Sequence, residues 1–182
     1  MEAIIGVVGT ILGTILGWFL NSISQKGKLQ FYIKQWEDKF ECNEIGGIVE
    51  CSNIDEAEWY SYSFNVDIYN SSSETKIMRD IFVVFSDGKN IIRKQVPQDG
   101  SSKRYAAHCY HYDKLNLINI PPKTVINVEM LDSEYDKENS IRNYLSTQKI
   151  YIQYTDEKNN TKKIYIVKNN YKNFFTRKEN KN

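Results

Sequence analysis

The N-terminal segment of residues 3–20, AIIGVVGTILGTILGWFL, contains no charged side chain. All 24 Lys and Arg residues of the chain lie beyond Ser24, and Glu2 is the one acidic residue before it. Eighteen helical residues extend about 27 Å, which is close to the ~30 Å hydrocarbon core of a bilayer. We therefore predict a transmembrane anchor helix within residues 1–25.

A cleaved signal peptide and a buried helix of a globular domain are the alternatives to an anchor. A signal peptide begins with a positive region and ends at a small-x-small cleavage site. Here only Met1 and Glu2 precede the apolar run, and no such site follows it. A buried globular helix normally has a polar face. An anchor with Trp18 and Phe19 in the interfacial aromatic belt therefore fits the segment best.

The charges on the two sides of the anchor predict its orientation. Three lysines follow the apolar run, namely Lys26, Lys28 and Lys34. Only the α-amino group and Glu2 precede it. By the positive-inside rule, we expect the domain behind the anchor in the cytoplasm, at the cell membrane.

The cysteine content bears on the same question. The chain has three cysteines, which are Cys42, Cys51 and Cys109. An odd number agrees with a reducing compartment. In a domain on the outer side of the membrane, Cys42 and Cys51 would be the natural disulfide pair.

Small residues recur on one side of the predicted helix. At about 100° per residue they share an arc of about 140°. They are Gly6, Gly9, Thr10, Gly13, Thr14 and Gly17. Two overlapping G-x-x-x-G steps in this set allow two helix backbones to approach closely. We expect this face to pack against a second copy or another membrane protein, although glycine is common in membrane helices generally.

From Lys28 onward the hydrophobic period changes from helical to two. In residues 60–68, large apolar or aromatic side chains alternate with Ser, Asn and Asp, as in a half-buried strand. Further strands are predicted at 29–36, 77–85, 90–96, 115–120, 124–131, 150–154 and 164–167. The Asp87-Gly88 turn and the turn at 156–160 predict two hairpins.

One short helix is predicted near 133–146. Ser133 followed by Asp136 suits a helix start, and Ile141, Tyr144 and Leu145 share a helical stripe. Seven or eight short strands joined by polar turns indicate a mainly β fold, an antiparallel β-sandwich. The predicted organisation is an anchor at 1–25, a sandwich domain at 26–168 and a basic, aromatic tail at 169–182.

Three segments carry a resemblance to a known group of proteins. They are YNSSSETKIMRDIFVVFSDGK, INIPPKTVINVEML and KIYIQYTDEKNNTKKIYIVK. Over residues 28–168 the chain resembles immunoglobulin-like (Ig-like) sandwiches tethered by an N-terminal helix in low-GC Gram-positive bacteria and their prophages. The resemblance implies an Ig-like fold, a prophage or phage-defence setting and no activity. The Cys–Trp–Cys signature of true immunoglobulin domains is not evident.

His108, Cys109 and His111 cluster in the segment YAAHCYHY. With Cys42 or Cys51 they could complete a tetrahedral zinc site. The C-x-x-C knuckle is missing, however, and an extended chain would send the two histidines to opposite faces. A surface loop with an incidental thiol is the expectation. Neighbouring residues on an extended chain also point apart, so His108 cannot easily activate Cys109 as a nucleophile.

Motifs of catalysis and cofactor binding are missing from the sequence, among them the Walker loop, G-x-G-x-x-G, G-x-S-x-G and H-E-x-x-H. We therefore expect no enzyme activity, no cofactor and no small-molecule ligand. The aspartates at 113, 132, 136 and 156 match no calcium loop and are expected in solvated turns. A net charge of +1 gives no electrostatic case for a nucleic-acid partner.

The C-terminal tail interleaves basic and aromatic side chains. Its cations could rest on an anionic inner leaflet, each contributing about 1 kcal/mol, although a solvated terminus is the simpler expectation. Candidate membrane-surface contacts are Lys26, Lys28, Lys172, Phe174, Phe175, Arg177 and Lys178.

These features predict a single-pass, membrane-anchored protein-interaction module. Its partners would be the lipid bilayer and either a protein or a second copy of the anchor helix. Sheet edges and end loops would make the protein contact. The alternative is an oligomer driven by the glycine face, which perturbs or gates the bilayer with the sandwich as its regulator.

Overall fold

A computed structural model describes residues 2–25, 27–135, 140–168 and 171–179. Helix α1 spans Glu2–Gln25. Its window Gly6–Ile23 has a mean hydropathy of 1.5 and none of it is buried against the rest of the chain. The helix is thus long and apolar enough to cross a bilayer. A helix of this kind near an N-terminus is typical of a membrane anchor or a signal sequence.

Twelve β-strands lie in the described part of the chain after α1. Their bounds are β1 Leu29–Glu44, β2 Gly47–Glu50, β3 Trp59–Asn70, β4 Lys76–Ser86, β5 Ile91–Gln95, β6 Gln98–Asp99, β7 Arg104–Ala106, β8 Cys109–His111, β9 Leu117–Ile120, β10 Val125–Tyr135, β11 Lys149–Thr155 and β12 Thr161–Val167. A second helix, α2, spans Phe174–Glu179. Short 3-10 helices lie at Ile54–Glu56, Gly100–Ser102 and Ser140–Ser146.

The strands form two antiparallel sheets. One has the order β2-β1-β3-β10-β6, and the other has the order β12-β11-β4-β5, with β9 also beside β4. Strands β7 and β8 form a separate hairpin. This arrangement confirms the predicted antiparallel β-sandwich, although the strands outnumber the seven or eight expected.

Strand β3 lies at the centre of the first sheet and carries much of the core. Its burial alternates along all twelve residues, as the sequence pattern predicted. The fully buried side chains of the core come from both sheets and, for Ile141, from the 3-10 helix at Ser140–Ser146. Those from the sheets include Phe40, Tyr60, Phe64, Ile68, Met78, Ile81, Phe85, Ile120, Met130, Ile150 and Ile152. Apolar area facing in from both sheets is the main stabilising contribution to such a fold.

Both predicted hairpins are confirmed, β4–β5 and β11–β12. Aspartate begins each turn. Asp87 Oδ1 accepts hydrogen bonds from the backbone N–H groups of Lys89 (2.8 Å) and Asn90 (2.6 Å). Gly88 follows with φ +99°, a backbone conformation that favours glycine. Aspartate side chains of this kind stabilise turns by replacing backbone acceptors.

Asn70 joins the turn after β3 to the connection between β9 and β10. Its side chain is completely buried. Its Nδ2 donates to the carbonyl oxygens of Glu74 (2.7 Å), Ile120 (3.0 Å) and Pro121 (3.0 Å). Its Oδ1 accepts from the backbone N–H (2.9 Å) and the hydroxyl (2.6 Å) of Ser72. A single amide therefore satisfies five polar groups at one end of the sandwich.

The short helix predicted near 133–146 begins later than expected. Residues 133–135 belong to β10, which stays paired with β3 as far as Tyr135 opposite Trp59. Asp136, the other half of the predicted start, lies outside the described residues. The 3-10 helix at Ser140–Ser146 buries Ile141, as its stripe predicted. Pairing along the whole of β3 therefore overrides the local capping signal.

The aromatic residues of the C-terminal segment pack against the sandwich domain. The Phe174 side chain is 8% exposed and belongs to the core. The Phe40 ring centroid lies 6.3 Å from that of Phe174 and 5.1 Å from that of Phe175. The solvated terminus expected from the sequence is therefore wrong for these residues, because two adjacent aromatic rings reach an apolar surface on β1.

Candidate interaction surfaces

The sandwich has two ends that differ in their distance from α1. The helix-proximal end consists of residues 27–28, 71–76, 121–124 and 156–163. The helix-distal end consists of residues 37–58 and 171–179. Strand β1 connects them, and its 16 residues span about 50 Å at ~3.3 Å per residue.

The junction between α1 and the sandwich is held by the turn after β3. Ser71 Oγ accepts from the Lys28 backbone N–H and donates to the Lys28 carbonyl, both at 2.8 Å. A Cβ at Gly27 would lie 2.2 Å from the backbone nitrogen of Ser72, so only glycine fits. Of the two predicted membrane contacts here, Lys28 is exposed beside the helix, and Lys26 lies outside the described residues.

Lysines predominate at the helix-proximal end, which carries a net charge of +3. They are Lys28, Lys76, Lys123, Lys158, Lys162 and Lys163. Three acidic side chains share this end. Glu157 pairs with Lys76 at 2.6 Å. Burial would raise the pKa of Asp156, but backbone hydrogen bonds from Asn160 and Lys158 outweigh it and lower that pKa.

Acidic side chains predominate at the helix-distal end. Residues 37–58 contain eight acidic side chains and one lysine, and the whole end, with residues 171–179, carries a net charge of −5. The β1–β2 hairpin projects there, and Ile45 at its tip is fully exposed, with Ile48 at 59%. Gly46 and Gly47 have φ of +115° and +145°, which lets the chain reverse over two residues. Exposed apolar side chains rimmed by polar residues mark candidate protein contacts, so the tip of this hairpin is the candidate contact surface.

The open sheet edges are protected against strand addition. Strand β2 pairs with only the last four residues of β1, so the first part of β1 is an edge. A bulge interrupts this edge between Lys34 and Glu37, where Gln35 has φ +48°. The neighbouring edge strand β12 carries Lys162 and Lys163. Bulges and lysines are the usual means by which edges avoid pairing, so end loops are favoured over edges as the contact.

The six small residues predicted as a packing face all lie in α1. A Cβ added to Gly6, Gly9, Gly13 or Gly17 would meet nothing within 4 Å, so this face is uncovered in the single chain. Thr10 Oγ1 donates to the Gly6 carbonyl at 2.9 Å, which satisfies the hydroxyl within the helix. Helix packing through this face stays a prediction.

The C-terminal residues predicted as membrane contacts belong to the helix-distal end. Of these, Phe174 and Phe175 lie beside Phe40, which is eleven residues along β1 from its start and about 36 Å from it. The ring of Phe174 is buried, so its prediction as a membrane contact is wrong. Lys172 is exposed in the same segment, and the side chains of residues 177–179 lie outside the described part.

The β7–β8 hairpin holds the predicted cluster of histidines and cysteine. Ala107 and His108 form its turn with φ of +51° and +62°. Cys109 Sγ lies 3.2 Å from His111 Nε2, so the thiol contacts His111 and not its neighbour. The same nitrogen lies 3.1 Å from the Ala106 carbonyl. When Nε2 carries a proton and donates it to this carbonyl, the nitrogen has no free lone pair with which to accept the thiol proton. The role of these contacts is therefore to close the hairpin.

Cys42 and Cys51, the other potential metal ligands, are buried thiols at the helix-distal end. Burial, followed by a hydrogen bond with Cys42, raises the pKa of Cys51 to about 12. A thiol with so high a pKa is a poor nucleophile and ligand. Within residues whose placement is described, no three His, Cys, Asp or Glu side chains form a group that could hold a metal ion.

The aspartates considered for calcium are separated in the structure. Asp113 pairs with Arg104 at 2.6 Å. Asp132 was expected in a solvated turn, which is wrong: it lies on the inner face of β10 and is 7% exposed. Burial raises its pKa, while Lys114 at 3.6 Å opposes the shift, and Gln98 Nε2 donates to it at 2.9 Å. The polar residues at inner positions of β10 were the signal that sequence reasoning missed.

Comparison with known proteins identifies relatives over most of the chain. The family model described as "YopI Ig-like domain" matches residues 27–167. The SPbeta prophage-derived uncharacterized protein YopI of Bacillus subtilis (strain 168) is 27% identical over 164 residues, which cover 88% of this chain and 92% of that protein. The β-rich domain and the resemblance to prophage Ig-like proteins are thus confirmed at the level of the family.

Two solved structures overlap with the chain more loosely. The first, a Bordetella pertussis protein assigned as ApaA, has a TM-score of 0.35 at 10% identity and covers 78% of this chain and 89% of its own. The second, an uncharacterized β-sandwich protein of Clostridium difficile 630, has a TM-score of 0.34 at 12% identity and covers 78% and 90%. The family assignment rests on the sequence matches alone.

Proposed function

Because the chain belongs to the YopI Ig-like domain family, we propose that it is a single-pass membrane protein whose sandwich binds a protein partner. The family model that matches describes an Ig-like domain, and the surface features favour binding. The prophage origin of the Bacillus subtilis relative supports a prophage or phage-defence setting. The observation that best supports a protein contact is that exposed isoleucines lie in the acidic surface of the helix-distal end, far from α1.

The proposed topology places the sandwich in the cytoplasm, on the lysine-rich side of α1. Cys109 is exposed, whereas Cys42 and Cys51 are buried, so Cys109 is the natural reporter. In intact cells we expect an impermeant maleimide to leave Cys109 unmodified, and a permeant maleimide to label it. A Cys109→Ser variant provides the background signal. Labelling of Cys109 by the impermeant reagent would place the sandwich outside and overturn the topology.

The partner contact is assigned to the tip of the β1–β2 hairpin. A photo-crosslinking amino acid at Ile45 is expected to give one discrete adduct in native membranes. The same amino acid at Leu117, an equally apolar and 53% exposed residue of β9, should give none. Ile48→Asp should weaken the Ile45 adduct about 5- to 30-fold, the loss expected for an interface anchor. Equal crosslinking from both positions, or no response to Ile48→Asp, would contradict this assignment.

The rival function is a membrane oligomer assembled through the glycine face of α1. The observation that favours it is the uncovered face, on which added Cβ atoms meet nothing. In a membrane reporter assay of self-association, Gly13→Ile should reduce the signal roughly tenfold, since it blocks close backbone approach. Leu12→Ile on the opposite face is the matched control and should change little. An unchanged signal for Gly13→Ile would remove the rival.

A further inference from the structure

The helix-proximal end is held close to the end of α1. Helix α1 ends at Gln25, and the hydrogen bonds between Lys28 and Ser71 begin three residues later. Three residues of fully extended chain reach only about 10 Å. If α1 is the proposed anchor, this end of the sandwich therefore lies at the depth of the lipid headgroups or directly beside them.

Two of the three acids of this end are engaged within it, and the third, Glu74, is exposed. Glu157 is engaged by Lys76, and Asp156 is surrounded by backbone donors and by Lys162 at 3.6 Å. The side chains of Lys28 and Lys158, in contrast, are exposed. A cleft of ≈ 880 Å³ opens between Ser22 of α1 and this end, and it is lined by four of the six lysines.

The opposite charges of the two ends give the domain an electrical polarity. The helix-proximal end carries +3 and the helix-distal end carries −5. An anionic surface attracts the first and repels the second over a Debye length of about 8 Å at physiological salt. We propose that the helix-proximal end docks onto anionic lipid headgroups and so holds the sandwich upright, with the β1–β2 hairpin directed away from the membrane.

This docking rests on the proposed anchor but is a separate equilibrium, between a docked and an undocked domain on an inserted helix. Each lysine near an anionic leaflet contributes about a fivefold bias. Neutralising two of them should therefore reduce the docked-to-undocked ratio about 30-fold. Lys158 and Lys163 suit this purpose because both are exposed and lie beyond the lysines flanking α1, which set its orientation.

The full chain, reconstituted into vesicles, tests the proposal. A fluorophore is attached at Thr161→Cys in a Cys109→Ser background, and lipids with nitroxide headgroups quench it. Quenching should be strong in phosphatidylcholine vesicles that contain phosphatidylglycerol and weak in phosphatidylcholine alone. Lys158→Gln/Lys163→Gln should clearly reduce the difference, because it removes two of the three net positive charges of this end. Lys39→Gln/Lys89→Gln, which removes two exposed lysines far from α1, is the matched control and should preserve it.

Co-sedimentation with the vesicles separates the two proposals. A chain that co-sediments but shows equal quenching in both lipids, or no response to the Lys158/Lys163 variant, would overturn the docking alone. A chain that fails to co-sediment would overturn the anchor and the docking together.

Discussion

Asn70→Ala is expected to lower the free energy of unfolding by about 3–5 kcal/mol, because it leaves several buried polar groups without partners. The Asn70 amide donates to three carbonyl oxygens and accepts from both Ser72 donors, in a site with no exposed surface. A loss of this size corresponds to a fall in melting temperature of about 10–15 °C for a domain of this length. Thermal unfolding of the full chain in detergent micelles measures it.

Two further variants separate hydrogen bonding from packing at this position. Asn70→Asp keeps the shape but replaces the donor by a carboxylate facing three carbonyls, so at neutral pH it should destabilise at least as much as alanine. Asn65→Ala, on the outward side of the same strand, should stay within about 0.5 kcal/mol of the native chain. Native stability in the Asn70→Asp variant would show that the amide donor contributes little.

Leu12→Arg/Ile15→Arg is expected to abolish membrane insertion. Each arginine near the middle of a membrane helix costs about 2.5–3.5 kcal/mol on insertion scales. The pair should therefore shift the inserted-to-free ratio by a factor of several thousand or more. The measurement is alkaline extraction of membranes that contain the full chain, followed by separation of pellet and supernatant.

The control for this variant adds the same charge where an anchor tolerates it. Asn21→Arg/Gln25→Arg places two cations at the lysine-rich end of α1, where they should retain or strengthen insertion. A native chain that is extracted into the supernatant, or a Leu12/Ile15 variant that stays in the pellet, would exclude a membrane-spanning role for α1.

The sequence correctly predicted the elements whose conformation depends on residues that are close together in the chain. The alternation of residues 60–68 identified β3, and the Asp87-Gly88 turn identified its hairpin, because side-chain period and turn chemistry act over a few residues. The uncharged run identified α1 in the same way. The family match confirms the Ig-like class that the three quoted segments suggested.

Features that depend on distant pairing were missed. The start of the predicted helix at Ser133 belongs to β10, because β3 offers a partner strand as far as Trp59. The C-terminal rings were assigned to solvent, and they pack on Phe40, more than 130 residues away. The opposite charges of the two ends of the sandwich likewise come from loops that the fold brings together. Each of these three features depends on contacts between residues that are far apart in the sequence.

The steric restriction at Gly27 has a mechanical consequence. Lys26 is the one residue between the end of α1 and a backbone that the turn after β3 holds in place. A connection this short allows little change in the orientation of the sandwich relative to α1. If α1 tilted by about 10°, within the range seen for membrane helices, a rigidly following sandwich would carry Ile45 sideways by about 9 Å over the ~50 Å length of β1. The position of the hairpin tip, far from the lipid, would thereby depend on the angle at which α1 crosses the bilayer.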